Sequence, residues 1–276
     1  MARPDEALRT AAAAAIKGGS QDAEDPLAPL KFRFLTPEGE VVKPPVKPPS
    51  FFTHSAFGGS PNAYWSLHAN ERQGRRALQA REGGLVGKHI YSTSKGRNWK
   101  VEGLTVDPNR WFSEKGAEEH VRKKNPRASE AQVQKTLSVL SEMRKEFLPD
   151  MLPEAGGAIV SVHNSHPHVR YPGNKTIYQH ERSKDLTKGV HEGDPADKLD
   201  FLLVTDPADF DRAVKEEVPF NVLYQAAGEV DDGSASVWAS QQGIPYFNPE
   251  ISKRKGAQEK QEKMLRWIEG RPQSAN

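Results

Sequence analysis

From about residue 61 onward, short apolar runs alternate with apolar stripes at helical spacing, a pattern that predicts an α/β domain with helices packed on the faces of a sheet. The runs Leu85 to Tyr91, Trp99 to Val106, Ala158 to Val162, Phe201 to Thr205, Phe220 to Tyr224 and Ile244 to Phe247 are the predicted strands. The clearest helix begins at Ser129, whose hydroxyl can cap it, and carries Val133, Leu137, Leu140 and Phe147 along one side before Pro149 ends it. Further helices are expected over Asp206 to Lys215, Gly233 to Gln242 and Gln258 to Ile268, with a long polar loop from Pro167 to Asp200.

Residues 1–60 are patterned differently. Pro26, Pro29, Pro37, Pro44, Pro45, Pro48 and Pro49 exclude a long helix or a central strand, so this stretch reads as a Pro-rich arm preceding a domain at 61–276. Within it, Lys31 to Leu35 and Glu40 to Val42 flank a turn-like Pro37-Glu38-Gly39 and predict a small hairpin, followed by an extended linker over Val42 to Pro49.

The 276 residues are enough to bury a sizeable core. Lys and Arg number 39 against 37 Asp and Glu, a formal charge of +2, which is far from the concentrated basic field of a nucleic-acid binder. With no cysteine, disulfides, thiolate metal sites and cysteine nucleophiles are excluded, so any metal must be held by His, Asp or Glu. The Ala11 to Ile16 run is too short and too closely preceded by charges for a signal peptide, and no stretch reaches the ~20 apolar residues of a membrane span. Synthesis in the cytoplasm without membrane insertion is the expectation, and export would need a non-classical route.

Four segments carry candidate chemistry. In Leu67-His68-Ala69-Asn70-Glu71, His68 and Glu71 are three apart and reach one cation if the segment enters a helical turn; the alternative is a solvated helix start. The run Gly157 to Val162 stops at His163, where ligands of α/β sheets collect, although a histidine there can also simply begin a loop. In Val106-Asp107-Pro108-Asn109-Arg110-Trp111-Phe112, Arg110 offers a fork for a carboxylate and Asn109 a donor beside it, in a stretch that is also good turn chemistry. Finally, the run from Gly243 reaches Glu250, a carboxylate that could move protons beside a metal or be a surface acid.

In this order the four segments resemble the zinc carboxypeptidases of the carboxypeptidase A type, which carry His-x-x-Glu, Asp-x-Asn-Arg-x-Phe, a strand-end His and a strand-end Glu in the same sequence. The resemblance covers about residues 62–252 and implies a mixed, mostly parallel central sheet with helices on both faces. It further implies that His68, Glu71 and His163 bind Zn2+, that Glu250 is the general base and acid, and that Asn109 and Arg110 hold a substrate carboxylate. Arg97, upstream of the Asn-Arg pair, is the implied donor to the carbonyl being cleaved. The chain departs from the family pattern at Pro108 and in the shorter stretch between Glu71 and His163. That shorter frame also fits the related zinc deacylases of acylated amino acids.

The activity so implied is hydrolysis of a peptide or amide bond near a free carboxylate, with cell-wall peptides as one substrate and a docking partner for the Pro-rich arm. A binding protein on the same fold, using Arg110 and the histidines His166 and His168, is the reading from another class. Asp231-Asp232-Gly233-Ser234 reads either as the wall of a specificity pocket or as a capped helix start.

Overall fold

The computed structural model describes residues 34–35, 41–42, 52–57, 60–79, 87–92, 94, 96–165 and 168–272. Its elements in chain order are β1 (Phe34–Leu35), β2 (Val41–Val42), β3 (Phe52–Phe57), β4 (Ala63–Ser66), α1 (Arg72–Gln79), β5 (Gly87–Ser92), β6 (Trp99–Val101), β7 (Leu104–Val106), α2 (Glu114–Lys124), α3 (Glu130–Glu146) and α4 (Leu148–Met151). There follow β8 (Ile159–Ser161), β9 (His163–Ser165), α5 (Ile177–Arg182), β10 (Thr187–Glu192), β11 (Phe201–Val204), α6 (Pro207–Lys215), β12 (Asn221–Gln225), α7 (Ala235–Gln241), β13 (Tyr246–Ser252) and α8 (Ala257–Glu269).

Successive side chains of a strand point to opposite faces, and here both faces are apolar, as a sheet covered on both sides requires. On β11, Phe201 and Leu203 enter one core while Leu202 and Val204 enter the other. The first core gathers Trp65, Trp99, Trp111 and Phe112 under α2, α3 and α7, and the second packs α1, α6 and α8 against Tyr64, Val160, Val162 and Phe247. The chain is therefore α/β, with helices on both faces.

The central sheet runs β10-β12-β11-β13-β8-β4-β5-β3, with β9 continuing along β13 beyond β8. The pairs β11–β12, β13–β8, β13–β9, β4–β8 and β4–β5 are parallel, whereas β10–β12, β11–β13 and β3–β5 are antiparallel. The sheet is thus mixed and mostly parallel. Its order also divides the chain: β3, β4, β5, β8 and β9 lie on one side and β10 to β13 on the other, and the two meet where β13 lies against β8 and β9.

Several expectations need correction. Trp99 to Val106 is two strands, because Glu102 and Gly103 take φ of 48° and 82° and close a two-residue turn between β6 and β7. The stretch expected as a polar loop from Pro167 to Asp200 contains α5 and the edge strand β10. Thr176 opens α5 with a capping box, its side chain accepting from Gln179 N while Gln179 returns the bond. α3 does end before Pro149, at Glu146, but the chain continues into α4, whose first turn holds Pro149 where a missing N–H is harmless. Within the Pro-rich stretch, β1 pairs antiparallel with β2, and β3 joins the central sheet beside β5; the intervening turn and the linker lie outside the described residues. Among the described residues, no helix is long and apolar enough to cross a membrane.

Candidate metal centre and cleft

His68 and Glu71 sit just past the end of β4, in a turn closed by Glu71 N donating to His68 O at 3.1 Å, and α1 starts immediately after them. They share a turn preceding the helix and not a helical turn itself. Gly74 then brings α1 onto the sheet, since a Cβ there would lie 2.9 Å from that of Val162, and Gly74 N donates to Asn164 Oδ1 at 3.2 Å. The segment carrying His68 and Glu71 is thereby locked to the one carrying His163.

His163 is the first residue of β9 and stands in register with Glu250 of β13. The sheet brings His68, Glu71 and His163 together, with one candidate ligand atom from each lying within 4.8 Å of the others. All three are buried, at 1%, 3% and 5% exposure. His68 Nδ1 lies 3.0 Å from Glu71 Oε1, and His163 Nδ1 lies 3.2 Å from Glu71 Oε2. Yet His68 Nδ1 and Glu71 Oε2 are buried without a formed hydrogen bond, an arrangement that costs free energy unless something else binds them.

The outer ring nitrogens are already committed. His68 Nε2 contacts Asp107 Oδ1 at 2.8 Å, and His163 Nε2 contacts Ser161 Oγ at 3.0 Å. Asp107 is itself fixed, accepting from Asn109 N at 2.9 Å while its own N–H donates to His120 Nε2 at 3.0 Å. Such outer partners orient imidazoles so that the inner nitrogen faces a cation. Two imidazole nitrogens and a carboxylate oxygen are a donor set that divalent transition metals take. The cluster could hold a metal ion, and its donor set fits one.

Electrostatics point the same way. Burial pushes the His68 imidazole down, but the Glu71 carboxylate and the Asp107 hydrogen bond outweigh it and hold the group up at about 9. Burial would raise Glu71, but the two histidines more than offset this and keep its carboxyl well below the usual range. Asp107 is likewise held low against burial by His68 and Arg97. In Glu250 the balance reverses: burial, then the charges of Glu71 and Glu181, push it up to about 8. A cation between His68, Glu71 and His163 would cancel the Glu71 contribution and draw Glu250 back toward ionisation.

These groups open onto a cleft of about 470 Å³ lined by Glu71, His163, Glu250, Arg97, Asn109 and Arg110 among others. Every residue singled out in the sequence as a ligand, base or carboxylate clamp lies on this one cleft or directly beneath it. Arg97 donates to Glu71 Oε1 at 2.8 Å while remaining half exposed. Asn109 Oδ1 accepts from Ala235 N at 3.0 Å at the start of α7, which fixes the amide on the cleft wall. Arg110 donates through Nη1 to Asn109 O at 2.9 Å, and its Nη2 lies 3.7 Å from Asp232 Oδ2.

His168 is exposed and outside the cluster, and His166 lies outside the described residues. Three residues at the site, Asp107 behind His68 and Tyr171 and Glu181 on the cleft, were not given a place in it from the sequence. Asp107 entered the sequence reading as turn chemistry and as the first residue of the Asp-x-Asn-Arg-x-Phe resemblance, without a role of its own. Tyr171, stacked on His180 at 4.6 Å between ring centres, and Glu181 come from the stretch expected as a loop. Comparison with family models, with curated proteins and with solved structures finds no match to this chain.

Proposed function

We propose that this chain is a zinc-dependent hydrolase of the carboxypeptidase type, cleaving a peptide or amide bond near a free carboxylate. One observation carries the reading. A buried His68–Glu71–His163 cluster with unsatisfied inward-facing atoms shares a cleft with a buried carboxylate, Glu250, and with the Asn109–Arg110 pair.

His68, Glu71 and His163 would hold the ion, and a bound zinc supplies Lewis-acid chemistry, lowering the pKa of water toward ~7 and polarising a carbonyl. Asn109 and Arg110 bind the substrate's carboxylate and so set the scissile bond against the reactive groups. Glu250 takes the proton of the attacking water and passes it to the departing amine. With a cation drawing it toward ionisation, Glu250 can accept that proton, and its burial favours the neutral form enough for the proton to be passed on. Arg97 donates to the carbonyl oxygen as negative charge builds there. The same parts serve a deacylase of acylated amino acids, so muropeptides and N-acyl amino acids are the first substrates to offer.

Metal content is the decisive measurement. After dialysis against metal-free buffer, about one zinc per chain is expected in the wild type, with loss of the metal from His163→Ala and loss of hydrolysis from Glu250→Gln at unchanged zinc. A wild-type protein that takes up no zinc when it is supplied would end this reading.

A further inference from the structure

Arg110 and Asp232 form an opposed pair on the cleft wall, Nη2 to Oδ2 at 3.7 Å, with 32% and 37% of their side chains exposed. Both are tethered by their remaining atoms. Arg110 Nη1 donates to Asn109 O, and Asp232 Oδ1 accepts from Ser234 N at 2.9 Å and from Ser234 Oγ at 2.5 Å. That leaves Asp232 Oδ2 facing Arg110. Lys184, also on this wall, is paired with Glu181 at 2.8 Å.

This pair constrains any ligand whose carboxylate takes Arg110. Such a carboxylate comes to rest beside Asp232 Oδ2, and two like charges at that distance repel unless a cation joins them. A ligand bearing an ammonium next to its carboxylate offers each side chain its opposite charge. We infer that Arg110 and Asp232 together bind an amino-acid zwitterion, an unblocked α-carboxylate and α-ammonium on one carbon.

Combined with the proposed hydrolase activity, on which this step rests, the substrate class narrows. An amino acid whose α-ammonium is free cannot be joined to the acyl group through that nitrogen. The bond cut is therefore on a second, side-chain amine: water adds across its C–N bond, giving a carboxylic acid and a free diamino acid.

The binding test needs neither metal nor turnover. Metal-free full-length protein is titrated with alanine, N-acetylalanine and propionate, followed by ligand-observed NMR. Alanine is expected to bind about tenfold or more tightly than either of the others, the scale of one charge-assisted hydrogen bond. In Asp232→Asn, which keeps the oxygen that accepts from Ser234, that preference should vanish while propionate binds at least as well. Equal affinities in the wild type, a preference that survives in Asp232→Asn, or no binding of any of the three overturns the inference. Hydrolysis is read separately, with Nε-acetyl-lysine expected to be cleaved in preference to Nα-acetyl-lysine by the zinc-loaded protein. If neither is cleaved while the alanine preference stands, the hydrolase reading fails and the zwitterion site survives; preferential cleavage of the Nα isomer overturns the inference.

Discussion

At the scale of single residues, the protein treats its histidines in opposite ways. His68 is buried among carboxylates and held protonated more strongly than usual, whereas His89 on β5 is fully buried with Arg75 as its charged neighbour. Burial, and then that guanidinium, push His89 down to about 3, and its Nε2 contacts Ser66 Oγ at 3.2 Å. Between the ordinary imidazole value and about 3 the unfolded chain binds a proton that the folded chain refuses, so stability falls as pH drops through that window. In metal-free protein, His89→Gln should therefore lose less stability than the wild type between pH 7 and pH 4, by up to roughly 3 kcal/mol. Thermal melts at the two pH values read this directly, and equal losses in the two proteins would show that His89 titrates near its ordinary value.

At the scale of elements, the proposed carboxylate clamp depends on how α2 docks. A Cβ on Gly116 would lie 2.0 Å from Gly233 N and 2.3 Å from Gly233 Cα, backbone atoms that cannot turn aside. Phe112 N donates to Gly233 O at 3.2 Å, and Ser113 Oγ bonds Asp231, so the start of α2 and the 231–234 segment hold each other in place. Gly116→Ala should cost on the order of 1–3 kcal/mol through this overpacking and shift Asp232 and Ala235 away from Arg110 and Asn109. Gly96→Ala, where an added methyl meets nothing within 4 Å, should be nearly silent, and denaturant melts of the two variants test the contrast.

The same scale shows what the sequence made legible. The segments that carry His163 and Glu250 were readable because a buried strand leaves a continuous apolar run that an ionisable residue interrupts, but the expectation that both stand at strand ends needs correction: His163 opens β9 and Glu250 lies within β13. Ser129 likewise announced α3, and it caps that helix with Gln132 completing the box. The misses have physical reasons. In α2 only Gly116, Ala117 and Val121 are buried, so no wide apolar stripe marks it. In β10 every other residue is exposed and Val190 faces solvent, as at a sheet edge, and its composition resembles a loop. Asp107 could not be weighed because its importance lies in touching His68, a contact across 39 positions that local pattern does not encode.

At the scale of the whole molecule, the three candidate ligands come from the turn after β4 and the start of β9, and α1 binds those segments together. An ion bound there favours the folded chain alone. At a free zinc concentration about 100 times its dissociation constant, zinc should add about 2.7 kcal/mol of stability. For a domain of this size that is a rise in Tm of roughly 5–10 °C. Scanning calorimetry with added zinc and with chelator checks it, and coincident melting curves would mean that the cluster does not couple to folding.

The division of the central sheet along the chain has a consequence for dissection. A polypeptide severed after β9 would keep all three candidate ligands and the Asn109–Arg110 clamp in its first piece, while Glu250 and Asp232 would travel with the second. Neither piece would own the whole of the proposed site. Reassembly would have to re-form the hydrogen-bonded seam of β13 with β8 and β9, where Glu250 lies in register with His163, so the seam works as an AND gate between two halves of one polypeptide.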